Sequence, residues 1–234
     1  MKKYLTLFDS RFTDLTNKST FMADKKQKIK EELEYKLNEA LLNLRSTDII
    51  FRKKGAKHLS DRSRFGVGDH RSIVISNWFL KKENRREIFD IIKREADESL
   101  VRELLHTLYW SCFLRAGWEQ KYSSLPDAEV YKKEVQSFVE GFVDSKSPII
   151  LSGVAGLLAL FQDSRAWDAF HIVLQKKKDY LTLARFRYAH DHNDGNNFIS
   201  EKQAERLKEV LMQIDIKTKN KEVKSVTTDM LNKL

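Results

Sequence analysis

Chain breakers are nearly missing from this sequence, which has 8 Gly and 2 Pro in 234 residues. Sheet proteins turn often, and turns draw on glycine and proline for backbone conformations that other residues resist. So few of either predicts a chain built from helices joined by short links. A hydrophobic content of 41%, with 14 Phe and 4 Trp, is enough for a buried core and argues against a disordered chain. The single cysteine, Cys112, excludes an intrachain disulfide and fits a reducing compartment.

Hydrophobic spacing and capping residues place the helices. Ile29, Leu33, Leu37, Ala40, Leu41 and Leu44 recur at helical period and predict a long helix over 22–45. Thr47 is a candidate cap for a helix starting "DIIFRKKGAKHLSD". The stretch "RSRFGVGDHRS" is a loop candidate, with a helix following around 70–82. Within that helix "SIVISNWF" is rich in β-branched residues and could be a strand, but it has no partner strand and is read as helix. Asn84 with Glu87 forms a capping-box pattern, and Asp97 or Ser99 opens "LVRELLHTLYWSCFLRAG". Pro126 and Ser147-Pro148 mark two further starts, Ser164 another, and Ser200 with Gln203 a second capping box. The result is about eleven helices, read as a single all-helical domain over 1–216, with 217–234 as a loosely packed C-terminal helix or tail.

Four of these segments overlay: "TDIIFRKKGAKHL", "DESLVRELLHTLY", "KSPIILSGVAGLL" and "KDYLTLARFRYAH". Each has a polar or acidic start, then aliphatic and small residues at helical spacing. Gly153, Ala155, Gly156 and Ala159 predict close helix contacts, since glycine inside a helix costs about 1 kcal/mol relative to alanine and needs a compensating reason. Over 147–191, a helix ending in Leu, the turn Asp163-Ser164-Arg165-Ala166 and a second amphipathic helix through Trp167, Phe170 and Leu174 resemble HEAT-type helical repeats. The likeness is fainter over 47–60 and 97–114 and missing from the first forty-five residues. The expected fold is all-α, with stacked antiparallel helix pairs forming a HEAT-like α-solenoid; an irregular multi-helix bundle is the alternative.

The most chemically loaded stretch is "HDHNDGNNFISE". Counted as a calcium loop from His190, it puts Asp194 fifth, Gly195 sixth and Glu201 twelfth, but imidazoles occupy the first and third ligand positions. His190, Asp191, His192, Asp194 and Glu201 are therefore metal candidates that an interhelical turn explains more simply, with Gly195 or an Asn ending one helix and Ser200 capping the next. No cofactor is expected. Asp69 and His70 of "FGVGDH", taken with His190, Asp191 and His192, would carry an enzyme reading only if at least three of them met in one cleft. Cys112, among Tyr109, Trp110, Phe113 and Leu114, reads as core.

The net charge of +9 divides unevenly: +7 over 1–64, −2 over 65–144 and +4 over 145–234. Basic runs at 52–57, 81–86 and 175–179 could align into a phosphate-tracking stripe through Arg52, Lys53, Lys54, Lys81, Lys82, Arg85 and Arg86, with Trp78 or Trp118 stacking on bases. Interspersed Asp and Glu dilute each run, and solvated helix ends account for them as well. The N-terminal "MKKYLTLFDSRF" is broken by Asp9 and Arg11, so no signal peptide or membrane span is expected, and the location is expected to be cytoplasmic. HEAT-like character and the lack of a catalytic constellation together imply a non-catalytic scaffold, adaptor or inhibitor that binds a protein partner on the concave face of the stack. Nucleic-acid binding is the alternative.

Overall fold

The structure, a computed structural model, describes residues 5–63, 70–119, 128–191 and 199–234. Among them are eleven α-helices and no strand. They are α1 (Leu5–Leu44), α2 (Ile49–Ser63), α3 (His70–Leu80), α4 (Lys82–Arg94), α5 (Glu98–Glu119), α6 (Ala128–Val139), α7 (Pro148–Leu160), α8 (Arg165–Lys176), α9 (Tyr180–Asp191), α10 (Glu201–Lys217) and α11 (Lys221–Lys233). One 3-10 turn, Glu140–Phe142, extends α6.

Helix α1 starts well before the expected residue 22, because no Gly or Pro precedes that point to stop a helix once it has nucleated. Its C-terminal half buries Leu33, Leu37, Ala40, Leu41 and Leu44, as the spacing predicts. The strand candidate "SIVISNWF" is helical. Val74, Ile75, Trp78 and Phe79 are buried while Asn77 is exposed, which is the period of a helix face. Trp78 is fully buried and its indole N–H donates to Asn38 Oδ1 of α1 at 2.8 Å, so it is unavailable to stack on a base.

Several helix starts move by a residue or two, each for a visible reason. Asp48, not Thr47, caps α2 by accepting the Ile50 N–H at 2.8 Å. Of the two alternatives for α5, Asp97 is the cap: it accepts the Leu100 N–H at 3.0 Å and the Ser99 hydroxyl. Ser164 has helical φ and ψ, so the Arg165 N–H bonds to Asp163 instead, just after the left-handed Gln162 (φ 57°). The expected capping box of Asn84 and Glu87 does not form. Asn84 donates to the Trp78 carbonyl at 2.9 Å, Glu87 pairs with Arg45 of α1, and α4 begins earlier, at Lys82. Ser147-Pro148 and the Ser200–Gln203 box cap α7 and α10 as expected.

Helices α2, α5, α7 and α9, the four whose sequences overlay, pack each against the next, and α9 packs on α11. Helix α1 backs α2 and α3, and α8 backs α7 and contacts α10. Glycines permit two close crossings. A Cβ added at Gly55 would lie 2.5 Å from the Ala40 carbonyl of α1, and one at Gly153 would lie 2.8 Å from Leu105 Cβ of α5. One hydrophobic cluster runs from Leu37 to Met230 and includes Cys112. The segment from Lys217, read as a loosely packed helix or tail, contains α11, which is capped by Asn220 and buries Val223, Val226, Thr227 and Met230.

Candidate functional site

Helix α5 borders two openings among the described residues. At 3.6 residues per turn, Ser99, Arg102, Glu103, His106, Tyr109 and Trp110 fall within about 120° of its circumference, and all six line one opening or the other. The N-terminal part of this face borders a groove of about 330 Å³ shared with Lys53, Ala56, Lys57 and Asp61 of α2. The C-terminal part borders a cavity of about 230 Å³ closed by Ser152 and Gly156 of α7, Phe170 of α8, and Leu181, Ala184, Arg185, Tyr188 and Ala189 of α9.

The cavity is walled by rings. Tyr109 and Trp110 meet edge to face at 5.2 Å between centroids, and Trp110 lies 6.1 Å from Tyr188. Phe170 is almost wholly buried and packs edge to face on Phe186 at 5.3 Å. Burial, with Tyr188 close by, holds the Tyr109 phenol far above the ordinary tyrosine range, and burial raises Tyr188 too, so both stay protonated at neutral pH. The Ser152 hydroxyl is committed to the Ile149 carbonyl at 2.7 Å. Among the described residues, the lining holds no carboxylate and no thiol. These walls offer π faces, one guanidinium from Arg185 and a buried imidazole from His106, a set suited to holding a flat apolar group.

The groove is polar. Lys53, Lys57 and Arg102 face Asp61 and Glu103 across it. Lys53 is held by Asp97 at 2.7 Å, and the Lys53 ammonium, with the Ser99 hydroxyl, keeps the Asp97 carboxyl well below the usual range. The Arg102 Nη2 lies 3.9 Å from Glu103, whereas its buried Nε–H has no acceptor. A buried donor without an acceptor costs about 1–3 kcal/mol.

Among the described residues, those singled out from sequence are not brought together in one site. Four of the seven candidate phosphate-binding cations are in ion pairs within the fold: Arg52 with Glu95 (2.9 Å), Lys53 with Asp97, Lys81 with Glu34 (3.7 Å) and Arg85 with Glu134. Arg85 is itself buried and also donates to the Leu80 carbonyl, tying α4 to α6 and to the end of α3. Lys54, Lys82 and Arg86 are exposed. Of the metal candidates, His190 and Asp191 are neighbours at 3.4 Å, and Asp191 is bound by Lys233 at 2.9 Å. Glu201 lies exposed in the first turn of α10, while His192 and Asp194 fall outside the described residues. Among the described residues no three His, Cys, Asp or Glu side chains converge to hold a metal ion. Of the enzyme candidates, Asp69 and the His70 side chain fall outside the described residues, as does the Trp118 side chain. Among the described residues no helix is long and apolar enough to cross a membrane.

The sequence pattern does not display the cavity directly. Tyr109 and Trp110 stand together on one helix beside Cys112, and Gly156 reads as a packing residue. The signal that could have joined them is the overlay of the four segments. Its seventh position is Lys53, Glu103, Ser152 and Ala184, and each of these lines an opening. No protein-family model matches this chain, and comparisons with curated proteins and with solved structures return no match.

Proposed function

We propose that the protein is a non-catalytic interaction scaffold, a HEAT-like α-solenoid in which α2, α5, α7 and α9 form the inner row and present one face to a protein partner. The observation that carries this reading is the shared register just described. Equivalent positions of the four overlaid helices open onto the same succession of groove and cavity, as the inner helices of a repeat stack do. The pairwise packing of each of these helices on the next adds support. The cavity's lining favours holding a group over transforming it.

The test is co-purification from the native cell with the wild-type chain, with a Lys57→Glu/Arg102→Glu variant, and with Ile216→Asp on the exposed side of α10 as control. The expected result is a partner retained by wild type and control and lost by the double variant. A partner lost equally from all three, or retained by all three, would sink the inner-face reading.

Nucleic-acid binding remains the second reading, favoured by the charge of +9 and by exposed Lys54, Lys82 and Arg86. It requires oligonucleotide affinity that falls steeply with salt and is abolished by charge reversal at those three positions.

A further inference from the structure

We propose that the partner engages this face through an extended acidic segment that seats one aromatic side chain in the α5/α7/α9 cavity and one carboxylate in the α2/α5 groove. The inference rests on the scaffold reading and names the chemistry of the partner.

Size selects the first half. A cavity of about 230 Å³ lies below the roughly 300–1,000 Å³ of sites for drug-sized ligands and cofactors. It suits a single ring system, and its walls of Tyr109, Trp110, Phe170 and Tyr188 present ring faces and edges to such a guest. Aromatic side chains are also the residues that most often anchor interfaces from within such pockets.

Charge selects the second half. The groove carries Lys53, Lys57 and Arg102 against Asp61 and Glu103, with Lys53 also paired to Asp97, and the cavity adds Arg185, so four cations stand against three carboxylates. The Arg102 side chain, 23% exposed, brings its guanidinium to the groove. A carboxylate seated in the groove would pair with that guanidinium through charge-assisted hydrogen bonds, the stronger kind.

Geometry then fixes the spacing. Arg102 and the Tyr109–Trp110 pair stand on one face of α5, seven to eight residues apart, which is about 10–12 Å at 1.5 Å per residue. An extended peptide advances about 3.3 Å per residue. The acidic residue and the ring should therefore stand three or four positions apart in the partner.

The experiment is selection of a random-peptide phage library on the immobilised full-length chain, followed by affinity measurement on the selected peptides as synthetic molecules. The variants are Gly156→Leu, whose side chain starts 3.5 Å from Tyr109 and fills the cavity, Ala184→Leu, which fills it from α9, and Arg102→Gln. Thermal melts of each variant check folding, and the second filling variant stands in if the first does not fold. The expected result is enrichment of Asp or Glu three or four positions from Trp, Tyr or Phe, with binding weakened about tenfold or more by either filling variant and by Arg102→Gln. Peptides that bind the filled variants as well as wild type would overturn the proposal and leave the scaffold reading standing. Aromatic peptides without an acidic preference, indifferent to Arg102→Gln, would overturn it as well. So would a chain that selects no peptide yet binds free indole-3-acetate, which would make the cavity a small-molecule site. In that case the scaffold reading would be judged by co-purification alone.

Discussion

Two glycines three residues apart in α7 are predicted to respond differently to the same substitution. Replacing either by alanine gains about 1 kcal/mol of helix propensity. At Gly156 nothing opposes that gain. The nearest atoms to an added Cβ are Tyr109 Cδ2 and Cε2, at 3.5 and 3.8 Å, ordinary contact distances at the edge of the cavity. Gly156→Ala should therefore stabilise the protein by about 1 kcal/mol. At Gly153 the methyl would land 2.8 Å from Leu105 Cβ, 3.2 Å from its Cδ1 and 3.4 Å from the Arg102 carbonyl oxygen. Leu105 is fully buried, and its Cβ is fixed to the α5 backbone, so relief requires α5 and α7 to move apart. Overpacking of this kind costs about 1–3 kcal/mol, which leaves Gly153→Ala neutral to about 2 kcal/mol destabilised after the propensity gain. The variants should thus differ by about 1–3 kcal/mol, or several degrees in Tm at about 2–4 °C per kcal/mol for a chain of this size. Urea denaturation followed by circular dichroism, with m-values compared to show that the unfolding transition is unchanged, provides the measurement. Gly153→Ala as stable as Gly156→Ala would refute the claim that backbone approach between α5 and α7 is set by that glycine.

Three further outcomes follow from the same contacts. Asp97→Ala should lower stability by about 1 kcal/mol through loss of the α5 cap, while Asp97→Asn should retain most of it because the amide oxygen can still accept the Leu100 N–H; equal losses would mean that the Lys53 pair, not the cap, matters. Arg85→Met should cost about 1–3 kcal/mol in chemical denaturation, since it strips the Leu80 carbonyl of a donor and leaves Glu134, itself a third exposed, without its bidentate partner; an unchanged midpoint would reassign Arg85 as a surface residue. Burial and then Arg62 push the His58 imidazole below its ordinary value, and burial and then Arg206 do the same to His171. The unfolded chain then binds more protons than the native one below about pH 6.5, so stability should fall as pH drops through that range, and His58→Gln should flatten the slope. A slope that steepens or stays the same in His58→Gln would contradict the assignment.

The sequence by itself determined the helices. Scarce breakers, 3.6-residue spacing and Ser or Asp caps act within a few residues of one another, so the α1 core positions, the Ser147-Pro148 start and the Ser200–Gln203 box could be read in advance. The α4 start shifts because other groups take its cap residues: Asn84 bonds the Trp78 carbonyl six positions back, and Glu87 pairs with the distant Arg45 of α1. The basic runs show the same limit. Charge can be counted along a chain, but whether Arg52 or Arg85 faces solvent depends on Glu95 and Glu134, each more than forty positions away. The cavity depended most on tertiary structure, because it is a space between α5, α7, α8 and α9 and belongs to none of them. Local rules fix which face each helix turns inward; only the packing of the four helices decides that His106, Tyr109, Trp110 and Tyr188 enclose a gap rather than fill it.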